Sequence, residues 1–359
     1  MRLFIPGPVT VSESANKAMQ KEMIGHRGKE FAEIFGECSS GLKKVFSTNN
    51  RVLISTSSGT GLMEAAIRNC VNDNVLMIEC GAFGKKWVDI AKSCGKNVDV
   101  LHVEPGSAVT KEALSEKLNA KKYEAICVTH NETSTGVTNP LAEIAPLIKE
   151  HEALFCVDTV SSMGGAKIPV DELGIDVCLT SSQKCFSLPP GLSFASVSEN
   201  ALEKSKTVKG KGYYFDFVEL AKEYDTNQTP YTPAVGLFFG LKAQLNDMLT
   251  EGMDNVWERH AKMAQETQNW ATGKGMEIFA QKEHQSNTIT CISNTNKINL
   301  EEVKKKVKAK GYVMDAGYRK LNDDLIAKGK PDTFRVPHMG NLKMEELKSY
   351  LNALAEEMK

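Results

Sequence analysis

Seven short runs of aliphatic and β-branched residues recur between about residues 50 and 200. They lie at 51–55 (RVLIS), 75–80 (VLMIEC), 98–103 (VDVLHV), 125–130 (AICVTH), 153–158 (ALFCVD), 177–181 (VCLTS) and 192–197 (LSFASV). Most are apolar throughout instead of alternating with polar residues, which is the pattern of strands covered on both faces. Between several of them lie segments with helical spacing, such as 84–94 (GKKWVDIAKSC), closed by Gly95, and 140–150 (PLAEIAPLIKE), which opens with a proline at a helix N-terminus. Strand and helix in alternation predict an α/β domain built around a mostly parallel, seven-stranded sheet.

From 233 to 272 the pattern becomes long and helical, with no strand-like run until 287–292 (NTITCI). A helix near 299–310, a strand around Thr333 to Val336 and a last helix over about 343–358 complete a smaller C-terminal α+β domain. The expected division is 1–250 for an N-terminal segment with the large domain, and 251–359 for the small one. At 359 residues and 41% hydrophobic, the chain is long enough for two cores. Leu300, Val303 and Val307 fall on one helical face, so the lysine-rich run 304–310 is expected to be a solvated face and not a binding patch.

Lysine plus arginine is 44 and aspartate plus glutamate 45, so no net field gathers nucleic acid or anionic membrane. Small molecules and a second copy of the chain are the expected partners. The nine cysteines are odd in number, lie mostly in apolar runs and form no C-x-x-C pair, which suits reduced thiols and offers no disulfide or zinc framework. The start, Met-Arg-Leu-Phe-Ile-Pro-Gly-Pro, lacks the apolar core of a signal peptide. A cytoplasmic protein is expected.

Ligands of parallel α/β domains collect beyond the C-terminal strand ends, so the residues there are the candidates. After the first run comes Ser57-Ser58-Gly59-Thr60-Gly61, leading into a helix-like segment. Small residues and a helix N-terminus suit a phosphate, although the third glycine of G-x-G-x-x-G and the lysine of a P-loop are both absent. The 153–158 run ends in Asp158, whose burial calls for a partner such as a cationic ring nitrogen, or for a helix N-cap. The next run leads to Gln183 and Lys184, a surface charge or, if desolvated, an amine nucleophile. Residues 130–136 (HNETSTG) supply hydroxyl and amide donors, without the downstream P-C-x-x-C of a zinc deaminase. Taken singly, each feature also fits an ordinary turn, cap or surface residue. Together, a phosphate cradle, an aspartate and a lysine at neighbouring strand ends are what pyridoxal 5'-phosphate requires.

With these motifs the sequence resembles the class V, fold-type I pyridoxal-phosphate aminotransferases, in particular the alanine-glyoxylate, serine-glyoxylate and serine-pyruvate group. The resemblance rests on PGPVTVS at 6–12, GHRGKEF at 25–31, SSGTGLMEA at 57–65, HNETSTGV at 130–137, VDTVSSMGG at 157–165, SSQKCFSLPPGLSF at 181–194, TPYTPAV at 229–235 and FRVPHMGN at 334–341. It implies that Lys184 is the Schiff-base lysine and that Asp158 keeps the pyridine nitrogen protonated. Thr60, Gly61 and Leu62 would hold the phosphate, with Gln183 beside it. Thr133 would be the hydroxyl donor to the phenolic oxygen, and Phe83 the ring stacked on the pyridine. Thr232 resembles a residue that reaches the partner subunit's phosphate, which implies a homodimer. Arg335 would pair with the substrate carboxylate, and Pro6 and Gly7 would line the substrate side. The expected activity is transamination between alanine or serine and glyoxylate or pyruvate. The alternatives are a 2-aminoethylphosphonate:pyruvate aminotransferase and a lyase of the cysteine desulfurase type.

Overall fold

The apolar runs form one sheet. In the computed structural model, which describes residues 1–358, its strands stand in the order Arg51–Ser55, Ser193–Val197, Val177–Ser181, Leu154–Asp158, Ala125–Thr129, Asn74–Glu79 and Asn97–His102. All neighbours are parallel except Ser193–Val197, which lies antiparallel between its two neighbours. The other six strands therefore share one direction, and their C-terminal ends share one edge.

Both faces of the sheet are covered, which explains the unbroken apolar runs. Val52, Ile54, Leu76, Ile78, Ile126 and Val128 pack with helices Lys29–Phe46, Leu141–Glu150 and Val235–Glu251. Leu53, Val75, Met77, Cys127 and Leu179 pack on the other side with Gly59–Cys70, Ala82–Ser93, Glu199–Thr207 and Phe217–Tyr224. Each such side chain contributes about 1.5 to 3 kcal/mol on burial. Asn97–His102, the run whose sequence alternates, is one of the two edge strands and is only partly buried. Helix Ala82–Ser93 ends just before Gly95, whose φ of +73° is the left-handed turn that favours glycine there.

Helix Val235–Glu251 belongs to the first core, and Met253–Thr272 follows it across Gly252. The second long helix supplies Met263 and Ala271 to a separate core with Ile292, Val303, Val307, Phe334 and Leu351. That core lies around an antiparallel sheet of Glu277–Ile278, Ile289–Ser293 and Thr333–Pro337. Val303 and Val307 face it, while Lys305, Lys306, Lys308 and Lys310 are exposed.

One feature departs from the expected division at 250. Strand Arg2–Phe4 pairs in parallel with Tyr312–Met314, and Phe4 stacks on Tyr350 with ring centroids 3.8 Å apart. The start of the chain is thus part of the C-terminal unit. A three-residue strand cannot stand alone, and Phe4 is buried by joining an aromatic nest made from residues more than 300 positions away.

Candidate active site

The candidate residues follow the C-terminal ends of four strands on the shared edge. Asp158 ends its strand, Gln183 and Lys184 follow Val177–Ser181, residues 57–61 follow Arg51–Ser55, and residues 130–136 follow Ala125–Thr129.

Lys184 is buried, and its ammonium group donates to the Pro6 carbonyl oxygen. The N-terminal segment is held over it by backbone bonds from Val9 N to Gln183 O (3.0 Å) and from Ser12 N to Ser187 O (2.9 Å). Gly7 has a φ of +139°, and a Cβ there would meet Cε and Nζ of Lys184 at 2.8 Å, so only glycine lets the chain pass this close. Burial, with the nearby charge of Arg335, depresses the Lys184 amine to about 8, while Asp158 pulls the other way.

Asp158 is pushed up to about 7 by burial, opposed by a bond from Val160 N to its Oδ1 (2.8 Å) and reinforced by the charge of Glu132. No helix follows it, so the N-cap reading gives way to a local turn in which the side chain accepts from the backbone two residues on.

Helix Gly59–Cys70 starts without a side-chain cap, leaving N–H groups at its N-terminus. A Cβ on Gly59 would meet Val160 Cγ2 at 2.6 Å, and one on Gly61 would meet Phe215 Cζ at 2.8 Å. Thr60 is exposed and Leu62 buried. Gln183 Oε1 and Ser181 Oγ are buried without a hydrogen-bond partner, two polar atoms at this edge that a ligand can satisfy.

Glu132, not singled out from the sequence, organises the next part. Its fully buried carboxylate accepts from Phe83 N (3.0 Å), Gly84 N (3.1 Å), Ser134 N (3.0 Å) and Ser134 Oγ (2.6 Å). It thereby caps helix Ala82–Ser93 and fixes the half-buried Phe83 relative to Thr133. The ammonium of Lys86 lies 4.9 Å from the Phe83 ring centroid. The Thr133 hydroxyl donates to Ser161 Oγ (2.9 Å), which itself donates to Asn131 O (2.9 Å). To serve a ligand, that hydroxyl has to turn away from Ser161.

Arg335 is buried in strand Thr333–Pro337 and so is not a surface charge. Its Nε and Nη2 donate to the two oxygens of Asp315 at 2.8 and 3.0 Å, and its Nη1 donates to the Thr133 carbonyl oxygen at 2.9 Å. Tyr318 lies against the guanidinium at 5.9 Å. Asp315, Tyr318 and Ser161 were also not anticipated; the only available signal was an isolated acid at the end of the 312–314 strand. The fold brings Lys184, Asp158, Gln183, Thr133 and Arg335 to one region, and leaves Thr232 exposed on the surface.

A buried amine at reduced basicity, a buried carboxyl and a buried arginine paired with Asp315 converge here, a set of perturbed groups of the kind found at functional sites. Comparison with known proteins agrees. The model of the class V aminotransferase family matches residues 10–337. An uncharacterised aminotransferase of Methanocaldococcus jannaschii is 39% identical over 94% of this chain and 87% of its own. The serine–glyoxylate aminotransferase of Arabidopsis thaliana is 34% identical over 96% of this chain and 87% of its own. The crystal structure of an alanine–glyoxylate aminotransferase from Nostoc, 28% identical, superposes with a TM-score of 0.92 over 99% of this chain and 95% of that one. With the family model spanning nearly the whole sequence, the chain belongs to the class V aminotransferases.

Proposed function

We propose that this aminotransferase moves the amino group of alanine or serine to glyoxylate or pyruvate, with pyridoxal 5'-phosphate as its cofactor. The observation that carries this reading is the convergence of buried Lys184, Asp158 and Arg335 with the uncapped helix start at Gly59 on one sheet edge.

The residues present fit the cofactor. The N–H groups of Thr60 and Leu62 at the uncapped helix start suit its phosphate, with that of Gly61, which donates to Ser58 O (2.9 Å), beside them; Gly59 and Gly61 let this helix start pack against Val160 and Phe215. Gln183 and Ser181 have buried atoms in want of partners. Asp158, costly to ionise alone, gains a cationic partner in a ring nitrogen, and Phe83 offers a ring face. When bound, pyridoxal phosphate supplies an electron sink that acidifies the substrate's α-carbon.

The chain's own part is to bind, orient and move protons. Arg335 holds each substrate by its carboxylate, which fixes the α-carbon toward Lys184. The Lys184 amine, depressed to about 8, is in part neutral near neutral pH and can take the α-proton. Asp158 holds a proton at the ring nitrogen. Pro6 and Gly7 close over the lysine from the N-terminal side and keep water away from its amine.

The desulfurase alternative needs an accessible, reactive thiol. Cys185 and Cys291 are both buried, with thiols pushed up to about 12 by burial, so neither offers one. The homodimer is part of the proposal. Tyr213, Tyr214 and Tyr231 form an aromatic group near Thr232, with Tyr213 82% exposed, a surface suited to cover by a second subunit. A cytoplasmic location is supported by nine free cysteines, all but Cys94 buried. Among the described residues no helix is long and apolar enough to cross a membrane.

The test is reduction of the cofactor-loaded protein with borohydride, peptide mapping of the labelled lysine, and a donor-by-acceptor panel. A label on Lys184 with alanine or serine turnover is expected. A label on another lysine, or no exchange with any of the four substrates, overturns the reading.

A further inference from the structure

Arg335 carries a feature that the aminotransferase reading does not require: a carboxylate of the protein already occupies part of its fork. A guanidinium has five N–H groups. Three are engaged, two by Asp315 and one by the Thr133 carbonyl oxygen, so two remain, one on each terminal nitrogen. That is what a single carboxylate needs for a two-point contact.

The Asp315 contact is built and not incidental. Asp315 forms an isolated bridge with Arg335, whose backbone N–H donates to the Asp315 carbonyl oxygen (3.4 Å). Oδ1 of Asp315 also accepts from Gly317 N at 2.9 Å, which fixes the carboxylate before any substrate arrives. Gly317 has a φ of +93°, and a Cβ there would meet Thr333 O at 2.1 Å, so the turn is pressed onto the arginine's own strand. Tyr318 then lies against the guanidinium. The side chain of Asp315 is 15% exposed and that of Arg335 is 7% exposed, so the pair is poorly screened by solvent.

We infer that Asp315 is a specificity-determining residue that restricts this enzyme to monocarboxylic amino acids and oxo acids. The physical reason is local charge. Asp315 already balances the guanidinium charge, and the substrate's α-carboxylate makes the group of three net negative. A second acidic group on the substrate then enters a poorly screened site with no uncompensated positive charge on Arg335 to receive it, and with a fixed carboxylate on the same arginine to repel it. The inference rests on the placement of Arg335 as the carboxylate-binding residue in the proposed function.

The test compares wild type with Asp315→Asn, which keeps the side chain's size and an acceptor for Gly317 but removes the charge, and with Asp315→Ser in case the amide misorients Arg335. Two readouts are taken: kcat/KM for aspartate relative to alanine, and the affinities of succinate and propionate as non-reacting probes, measured by calorimetry on the cofactor-loaded protein. Both variants are expected to raise the aspartate-to-alanine ratio and the succinate-to-propionate affinity ratio by tenfold or more, whatever happens to the absolute rates. Unchanged ratios in a folded variant overturn the inference. A wild type that turns over none of the amino acids defeats the functional reading instead, and the probe affinities still decide the role of Asp315.

Discussion

Replacing Gly7 by alanine tests the arrangement at its tightest point. The new methyl group would lie 2.8 Å from both Cε and Nζ of Lys184 and 2.9 Å from Cδ. Ordinary carbon contacts begin near 3.5 Å, so the lysine or the 6–8 backbone has to retreat by roughly 0.7 Å. The backbone is less free to move than the lysine, because Val9 and Ser12 tie the segment to residues 183 and 187. An alanine at a φ of +139° adds strain of about 1 to 3 kcal/mol. In a chain of this size that is a fall of only a few degrees in Tm. Displacing the reactive amine by a comparable fraction of an ångström, however, costs up to about 100-fold in rate, because the geometry of proton transfer is lost. The assay is single-turnover reaction of the loaded enzyme with alanine, alongside thermal unfolding of the same preparation. A rate loss of tenfold or more with a Tm within about 5 °C of wild type is expected. A variant within threefold of wild-type rate would falsify the close approach of the N-terminal segment to Lys184.

Two further perturbations probe the buried charges. Asp158 moves from its ordinary 3.8 to about 7 on folding, so between those values the folded protein binds the extra proton and stability of the cofactor-free form falls as pH rises. Lys184 moves from 10.5 to about 8, so across that higher window the unfolded chain holds the extra proton and stability recovers as pH rises. Urea midpoints against pH should show the first slope flattened in Asp158→Asn and the second flattened in Lys184→Met; unchanged profiles would refute the burial argument. In Glu132→Gln, one of the two acceptor oxygens becomes an NH2 group facing N–H donors, which should cost about 1 to 3 kcal/mol for each donor left bare. Equilibrium unfolding at wild-type stability would show that the carboxylate does not clamp Phe83 and Ser134 as described.

The sheet was legible because its signal is local. Strands covered on both faces are mostly apolar, and most of the seven runs carry that mark; Asn97–His102, an edge strand that is only partly buried, alternates instead. Asp158 was legible for the opposite reason, as an acid whose burial at the end of an apolar strand is costly without a partner, and Lys184 drew notice beside it, in the turn after strand Val177–Ser181. What escaped has partners distant in sequence. Nothing in Arg-Leu-Phe at the chain start points to Tyr312–Met314, and nothing near 315 points to Arg335, because both pairings are fixed by register in the small unit. Glu132 lay within a segment read for its hydroxyl and amide donors. Its role depends on the position of a helix start some 50 residues earlier.

The buried charges also explain why the site is held by elements from both units. Lys184 and Asp158 come from the large sheet, while Arg335 and Asp315 come from the small unit and meet the large one at the Thr133 carbonyl. Without a ligand, burial moves the lysine and the aspartate toward their neutral forms, and only the Arg335–Asp315 pair is internally compensated. The large sheet thus presents groups that gain from receiving a charged ring and phosphate. The small unit presents a pre-balanced arginine that gains only from one further carboxylate. On the proposed function, the large sheet then holds mainly the cofactor and the small unit mainly selects the substrate. In the proposed site a change at Asp315 acts first on Arg335, and through its bond to the Thr133 carbonyl that arginine also touches the segment assigned to the cofactor, so the substrate ratio and not the absolute rate is the quantity that isolates Asp315.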